Sequence, residues 1–248
     1  MMRVLCLLAF TVIAALAQTA LAFDVATVKP SLLPPGSPGP TGRIGGPVFE
    51  PGRVSWWNVP LRVYTMQAYG QTTAWRIENG PAWFQSDNFN ISATFPPETP
   101  QAQIPAMLKA LLTDRFHLTA HTEMRPHDVY VLTVAKAGLK AKESAADDST
   151  MTNRMGTGHM NLHKTSMQRL ADLLSGETLK MSERPVVDMT NLKGVYDMAL
   201  DWSPEAAPNP EKPSLFTAVT EQLGLKLEAQ RAPVEILVID RAEKPSGN

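Results

Sequence analysis

The sequence predicts an α+β fold built as a tandem duplication of a β-α-β-β-α-β-β unit, with a small mixed or antiparallel sheet and two helices in each copy. Internal similarity is the first reason, because residues 52–70 align without a gap to residues 158–176, and residues 89–98 align to residues 196–205. The second reason is that both copies carry an apolar stripe of helical period directly after their first strand. The third is a proline-rich joint that leads into a second helix in each copy.

The first 22 residues have the composition of a secretory signal peptide. Arg3 provides a positive start, residues 4–17 form an apolar run broken only by Thr11, and residues 20–22 have the small-x-small form that signal peptidase cleaves. A membrane-spanning helix needs roughly 20 apolar residues, so cleavage before Phe23 is favoured over an uncleaved N-terminal anchor. We therefore expect a periplasmic or secreted protein that does not span a membrane after cleavage.

The remaining chain is expected to consist of two copies joined by a linker. Residues 23–29 alternate apolar and polar side chains as a strand does, whereas residues 30–52 are rich in proline and glycine and predict an exposed loop or mobile arm. The predicted division is a first repeat with this strand and arm at 23–137, a linker at 138–156, a second repeat at 157–243 and a tail at 244–248.

Four helices are predicted from apolar residues spaced three and four positions apart. Pro60 suits the first turn of the first helix, and Thr165 or Ser166 is the expected cap of the corresponding helix in the second copy. The stripes expected to face the core are Leu61, Tyr64, Thr65 and Ala68; Ile104, Met107, Leu108, Leu111 and Leu112; Met167, Leu170, Ala171 and Leu174; and Leu215, Phe216, Val219 and Leu223.

Each copy is predicted to close with two separate strands. These are residues 116–123 followed by 129–135 in the first copy, and residues 225–229 followed by 234–240 in the second. The first of the four alternates apolar and polar residues, which is typical of a sheet with one solvent-exposed face.

Composition and motifs exclude several classes of function. The single cysteine, Cys6, lies inside the predicted signal peptide, so the remaining chain has no thiol, disulfide or cysteine-ligated metal. The formal net charge is −1, without the basic stripe that a nucleic-acid partner requires. The chain has no phosphate loop, dinucleotide fingerprint or familiar hydrolase motif, and we expect no cofactor. A glycosidase stays possible because its two acids have no signature spacing; Asp188, Asp197 and Asp201 could serve, or could cap turns and line the solvent face of a sheet.

Short stretches spread over nearly the whole chain after residue 22 form a specific pattern. They lie at 23–31, 58–61, 67–70, 80–83, 115–118, 184–188, 194–197, 200–202 and 213–216. Together they resemble a large family of uncharacterised exported proteins, abundant in soil bacteria, that share this duplicated unit. The resemblance implies no specific activity. Related domains look like the outer segments of some membrane sensor-peptidases, which implies sensing or binding, and each half is similar to small N-terminal modules of secretins and TonB-dependent receptors. Asn191 departs from the glycine usual in the family, but asparagine also tolerates a left-handed backbone.

Histidine and tryptophan supply the candidate binding residues. His117 and His121 are four positions apart on a predicted strand and would share a face. They could contribute to a metal site, but zinc needs three or four converging ligands, so we assign no metal and treat them as partly exposed. Trp56 and Trp57 are adjacent on a strand and point to opposite faces. One ring could therefore stack on a ligand or partner, unless the other repeat or the Pro/Gly-rich arm covers it.

We interpret the sequence as an exported protein of unknown specific function that acts as a non-catalytic, sensor-like binding or interaction module of the cell envelope. Its partner would be an unknown envelope protein or a small ligand, and no catalytic residue is assigned. The alternative is an envelope hydrolase that acts on a glycan or a peptide. A ligand is expected in a crevice between the two copies, and exposed sheet edges could recruit another chain by strand addition.

Overall fold

The computed structural model describes residues 21–40, 42, 45–145, 152–175, 184–205 and 207–245. Within these residues the chain is a mixed α+β fold with three four-stranded sheets and five α-helices, so the predicted fold class is confirmed in its coarse form. Nearly all of the predicted signal peptide, up to residue 20, lies outside the described residues. None of the helices described has both the length and the apolar character needed to cross a bilayer.

The described elements alternate between strands and helices along the chain. The strands are β1 (Val25–Pro30), β2 (Val48–Glu50), β3 (Arg53–Pro60), β4 (Ile77–Glu78), β5 (Asn88–Thr94), β6 (Thr119–Val134), β7 (Lys142–Glu143), β8 (Thr152–Gly156), β9 (His159–Ser166), β10 (Val186–Asp188), β11 (Val195–Asp201) and β12 (Leu225–Arg241). The helices are α1 (Leu61–Ala68), α2 (Trp83–Ser86), α3 (Ile104–Phe116), α4 (Met167–Leu174) and α5 (Leu215–Leu223).

The twelve strands form an N-terminal, a central and a C-terminal sheet. The N-terminal sheet has the order β1-β5-β3-β2 and the C-terminal sheet has the order β7-β11-β9-β8. Every strand pair in these two sheets is antiparallel. The central sheet, in the order β10-β6-β12-β4, is mixed, because β10 and β4 run parallel to their neighbours.

The central sheet is built on one long antiparallel pair, β6 and β12, which we call the central ribbon. Its register runs from Leu225 opposite Val134 to Arg241 opposite Thr119. β4 from the N-terminal half of the chain pairs with β12, and β10 from the C-terminal half pairs with β6. Each half of the chain therefore adds a short strand to the long strand of the other half.

The prediction of two separate closing strands in each copy is wrong. β6 continues through Pro126 and β12 through Pro233, and these two prolines lie directly opposite each other. A proline has no N–H to donate, so it fits an antiparallel ladder only where that N–H would point away from the partner strand. Two opposed prolines meet this condition for both strands at once. The continuous strands also form one sheet shared by both halves, which differs from the expected self-contained sheet in each copy.

Three apolar clusters fill the space between the sheets and helices. The N-terminal sheet, α1 and α3 enclose the first cluster, which also receives Ile239 from β12. The C-terminal sheet, α4 and α5 enclose the second, together with Leu132 from β6. The third lies on the opposite face of the central ribbon, around Val129, Ile236 and Trp75. Both ends of the ribbon are therefore anchored in a core of their own.

The helical stripes are buried as predicted, with one exception. Every predicted stripe residue of α1, α3 and α4 is buried, and Ser166 caps α4 by accepting a hydrogen bond from the backbone N–H of Arg169. In α5, Phe216 is 40% exposed and Ala218 is buried instead. Ala218 follows Leu215 by three positions and shares its face, whereas the adjacent Phe216 cannot.

Two segments predicted to be irregular contain strands. β2 lies within the Pro/Gly-rich arm at 30–52, and β7 and β8 lie within the predicted linker at 138–156. The arm is also held in place, because the side-chain amide of Asn58 donates hydrogen bonds to the carbonyls of Pro34, at 2.7 Å, and Ser37, at 3.3 Å. These two hydrogen bonds attach the arm to the N-terminal sheet at Pro34 and Ser37.

The ends of α3 and α5 provide a matched test of left-handed helix capping. His117 ends α3 with φ 47°, and Gly224 ends α5 with φ 67°. A β-carbon on Gly224 would lie 2.1 Å from the carbonyl oxygen of Gly138. We expect Gly224→Ala to lower the free energy of unfolding by about 3 kcal/mol through left-handed strain and backbone overlap. His117→Gly should change it by less than about 1 kcal/mol. Urea denaturation measures both, and equal effects would contradict the close approach at Gly224.

Candidate functional site

The two predicted tryptophans occupy different environments. Trp56 is 1% exposed in the N-terminal core, where its indole Nε1–H donates a 2.7 Å hydrogen bond to Oε1 of Gln67. Trp56 therefore cannot bind a surface ligand, which corrects its assignment as a binding residue. Trp57 is half-buried on the outer face of the N-terminal sheet. Gly39 of the Pro/Gly-rich arm lies so close to it that a β-carbon on Gly39 would be 2.7 Å from the Trp57 β-carbon.

The two predicted histidines are not on one strand. His117 ends α3 in a left-handed conformation, so only His121 lies on β6. Each has its own acidic neighbours: His117 Nε2 is 3.9 Å from a carboxylate oxygen of Glu243, and His121 Nδ1 is 2.8 Å from Oδ1 of Asp240. The helix extends further than the apolar alternation suggested, and the expected shared strand face of the two histidines is wrong.

His121 belongs to a chain of ion pairs on the central sheet. Its successive members are Asp240, His121, Glu123, Arg125, Glu78 and His127. The hydrogen bond to Asp240 raises the pKa of His121, and the Arg125 guanidinium lowers the pKa of Glu123. Acidic and basic side chains alternate along this chain. In the part of the chain that the structure describes, no three His, Cys, Asp or Glu side chains converge as metal ligands do.

A second polar arrangement lies on the C-terminal sheet, on the face turned away from α4 and α5. We call it the polar face, and its side chains come from β8, β9 and β11. Its members are Arg154, His159, Asn161, His163, Asp197, Ala199 and Asp201. Residues that alternate with them, such as Met160 and Leu200, are buried in the C-terminal core. The strand period of two therefore places this set together on the solvent side.

Two histidine–aspartate pairs frame the polar face. His159 Nδ1 lies 3.0 Å from Oδ1 of Asp201, and His163 Nδ1 lies 2.6 Å from Oδ1 of Asp197. The hydrogen bond from His159, followed by that from Lys212, lowers the pKa of Asp201. The pKa of Asp197 is lowered as well. Hydrogen bonds therefore stabilise the ionised form of both carboxylates.

Asp197 also closes a bulge in β9. Lys164 has φ 54°, and its backbone N–H donates a 3.1 Å hydrogen bond to Oδ1 of Asp197. The same oxygen accepts a 2.6 Å hydrogen bond from the hydroxyl of Ser144, and this bond is the largest cause of the lowered pKa of Asp197. The N-terminal sheet has the same device, because Asn58 has φ 56° and its backbone N–H donates a 2.7 Å hydrogen bond to Oδ1 of Asn90.

The polar face contains an open depression of about 410 Å³. Arg154 lies opposite Asn161 across β8 and β9, and Asn161 lies opposite Ala199 across β9 and β11. Asn161 is the middle of this row, and the small side chain of Ala199 is at its β11 end. The two histidine–aspartate pairs lie on either side of the row. The depression therefore lies on one sheet and not in the expected crevice between the two copies.

The hydrogen bonds and pKa values of the polar face differ from those of familiar catalytic sites. In a catalytic triad the serine hydroxyl donates to the histidine, whereas Ser144 donates to the carboxylate of Asp197. A general acid needs a raised carboxyl pKa, and the pKa values of Asp197 and Asp201 are both lowered. The side chains offer charge, hydrogen-bond donors and hydrogen-bond acceptors to a bound molecule.

The sequence indicates that Asp197 and Asp201 could line the solvent face of a sheet, but sequence reasoning did not combine them with His159, His163 and Arg154 into one site. His159 and His163 are four positions apart, as are Asp197 and Asp201. Placing the two segments on adjacent antiparallel strands brings the histidines opposite the aspartates. Arg154 gave no signal, because it lies in the segment interpreted as a linker.

The His121–Asp240 pair predicts a pH dependence. The pKa of His121 is raised in the folded protein, so its stabilising effect is complete below about pH 6.5 and is lost as the pH rises through the higher folded-state pKa. Asp240→Asn should lower the imidazole pKa of His121 and reduce the loss of thermal stability between pH 6 and 8. NMR titration of the histidine rings measures the first effect, and thermal midpoints measure the second. An unchanged His121 pKa in Asp240→Asn would contradict this account.

Comparison with known proteins gives a family and no function. No curated protein and no solved structure matches the chain. One family model matches residues 64–242, and its description is "Protein of unknown function (DUF3738)". That match includes the last five residues of α1, the central ribbon and the whole C-terminal sheet. The chain belongs to this DUF3738 family of proteins of unknown function.

Proposed function

We propose that this protein is an exported binding module of the cell envelope, without catalysis of its own, and that the polar face of the C-terminal sheet is its binding surface. The observation that carries the proposal is a difference between two similar sheets. The Pro/Gly-rich arm covers the outer face of the N-terminal sheet at Trp57 and Asn58. The corresponding face of the C-terminal sheet has an open depression of about 410 Å³.

The lining of the depression supports a binding role. Ligand sites in proteins commonly have volumes of roughly 300–1,000 Å³ and a few convergent polar groups. Here Arg154, Asn161, His163 and Asp197 supply those groups, and the small side chain of Ala199 lines the depression with them. The hydrogen bonds that hold Asp197 and Asp201 keep the polar side chains in fixed positions before a ligand arrives, which reduces the entropic cost of binding.

The alternative function, hydrolysis of an envelope glycan or peptide, has weaker support at this surface. A glycosidase needs one carboxyl group with a raised pKa as its acid. The two carboxylates of the polar face have lowered pKa values, so both stay ionised at neutral pH. This electrostatic arrangement favours binding over acid catalysis.

We also propose that the two halves arose by duplication of one unit. The left-handed Asn58 and Lys164 occupy matching bulges 106 positions apart. Gly52 and Gly158, at the same separation, both have φ 69°, and their carbonyls accept hydrogen bonds from Phe95 and Trp202. The reciprocal pairing of β4 with β12 and of β10 with β6 supports a two-fold relation about the central ribbon.

A site-specific photo-cross-linker tests the binding role of the polar face. It would be placed at Ala199 and, as a matched control, at Ser92, which has the aligned position on the N-terminal sheet. In cells with an intact envelope, the probe at residue 199 should give a discrete cross-linked product that the probe at residue 92 does not. Arg154→Gln should weaken that product.

Two results would contradict the proposal. One is equal cross-linking from residues 92 and 199, or no product from either position. The other is release of glycan or peptide fragments from purified envelope by the wild-type protein, with loss of this activity in Asp197→Asn and Asp201→Asn. The second result would support the hydrolase.

The proposed export of the protein can be tested separately. Signal peptidase cleavage after Ala22 would give a periplasmic or secreted chain that begins at Phe23. Fractionation followed by intact-mass measurement should find this chain outside the cytoplasm. A membrane fraction that retains Met1 would instead indicate an uncleaved anchor.

A further inference from the structure

β8 is an edge strand of the C-terminal sheet and borders the polar face. All five of its residues pair with β9 on one side. No other described strand pairs with its second side. Alternate residues of an edge strand direct backbone N–H and C=O groups outward, where an added strand can pair with them.

The side chains of β8 indicate which residues such an added strand would contain. Arg154 lies on the polar face, is exposed, and has no acidic partner among the residues that the structure describes. Met155 lies on the other face, opposite the buried Met160, yet it is 45% exposed. A neighbouring strand would therefore place an acidic side chain beside Arg154 and an apolar side chain beside Met155.

The corresponding edge of the N-terminal sheet shows which part of this pattern is special to β8. Phe49 on β2 lies opposite the buried Val54 and is 42% exposed, so it resembles Met155. However, β2 has only three residues, and Val48, opposite Ser55, occupies the position on it that matches Arg154. The edge of the N-terminal sheet therefore lacks the positive charge that β8 carries.

A second copy of this chain is a poor occupant of the β8 edge. Antiparallel self-pairing centred on Arg154 would place two arginines directly opposite each other, and like charges in that position are destabilising. A strand with an acidic residue from another protein could pair with the same backbone groups, and its negative charge would complement that of Arg154. The geometry favours a different partner.

We propose that β8 receives an extended segment of a partner protein by strand addition, with an acidic residue beside Arg154 and an apolar residue next to it in sequence beside Met155. This proposal rests on the proposed binding role and names the chemistry of the partner. Backbone hydrogen bonds supply affinity in this mode of recognition, and the alternate side chains supply specificity.

The test uses a fluorescent, terminally blocked peptide, Thr-Val-Glu-Leu-Thr-Val, whose alternate residues are polar and apolar. Fluorescence anisotropy measures its affinity for the protein without its signal peptide. Arg154→Glu should weaken binding about tenfold, and a peptide with Lys in place of Glu should recover affinity for this variant. Met155→Lys should weaken binding as well, whereas Phe49→Lys on the N-terminal edge should not. Thermal melts check that each variant is folded.

Two N-methylated peptides identify strand addition directly. One carries the methyl groups on the three apolar residues, and the other carries them on the three polar residues. Alternate N–H groups of a strand point to opposite edges, so one peptide should lose binding while the other keeps it. Loss in both, or in neither, would overturn pairing through a single strand edge.

The remaining outcomes separate this inference from the proposed function. No binding of the peptide to the wild-type protein would overturn the inference, while cross-linking at residue 199 would still support the polar face. Peptide binding that is lost in Ala199→Arg but kept in Met155→Lys would place the peptide on the face and also overturn the inference. Self-association that disappears in Met155→Lys would make the occupant a second copy and would contradict a different partner.

Discussion

The pairing of β6 with β12 is the constraint on which the rest of the structure depends. The ribbon is continuous through two opposed prolines and joins the ends of two separate cores. Because β4 and β10 each pair with the long strand of the other half, neither half can complete its part of the central sheet alone. The stability of one half is therefore coupled to the presence of the other. A third apolar cluster on the opposite face of the ribbon adds to this coupling.

Within this shared frame, the two outer sheets differ where they face solvent. In the N-terminal sheet, Asn58 uses its side chain to bind the Pro/Gly-rich arm, and the arm packs on Trp57. In the C-terminal sheet, the matching bulge at Lys164 is closed by Asp197, which also contacts His163 and Ser144. The same backbone device thus supports a covered surface in one half and an open polar surface in the other. Two sheets with the same backbone device can therefore have different solvent-exposed surfaces.

Local patterns predicted α1, α3, α4 and α5 well, missed the short α2 and predicted the long strands poorly. The stripes of α1, α3 and α4 depend on residues three and four positions apart, which are neighbours on any helix. Phe216 was misplaced because α5 buries Ala218 with Leu215. The separate closing strands were wrong because the continuity of β6 and β12 depends on Pro126 meeting Pro233, a contact between residues more than 100 positions apart. Register across that distance is not encoded in either segment by itself.

The candidate site could not be predicted as a whole for the same reason. The spacing of His159 and His163 was visible, but their partners lie on another strand, and only the register of β9 with β11 brings them together. The adjacent tryptophans gave a strong local signal that predicted a binding site on the N-terminal sheet. In the structure, however, Trp56 faces the core and the arm packs on Trp57. The sequence of any one of the three strands is not enough to predict a surface that all three form together.

Hydrogen–deuterium exchange of the protein without its signal peptide, with and without solubilised envelope extract, tests the central claim most directly. Binding at the polar face predicts slower exchange in peptides that cover β8, β9 and β11, and unchanged exchange in β3 and β5 of the N-terminal sheet. Protection confined to the N-terminal sheet or to the central ribbon would contradict the assignment of the polar face as the binding surface.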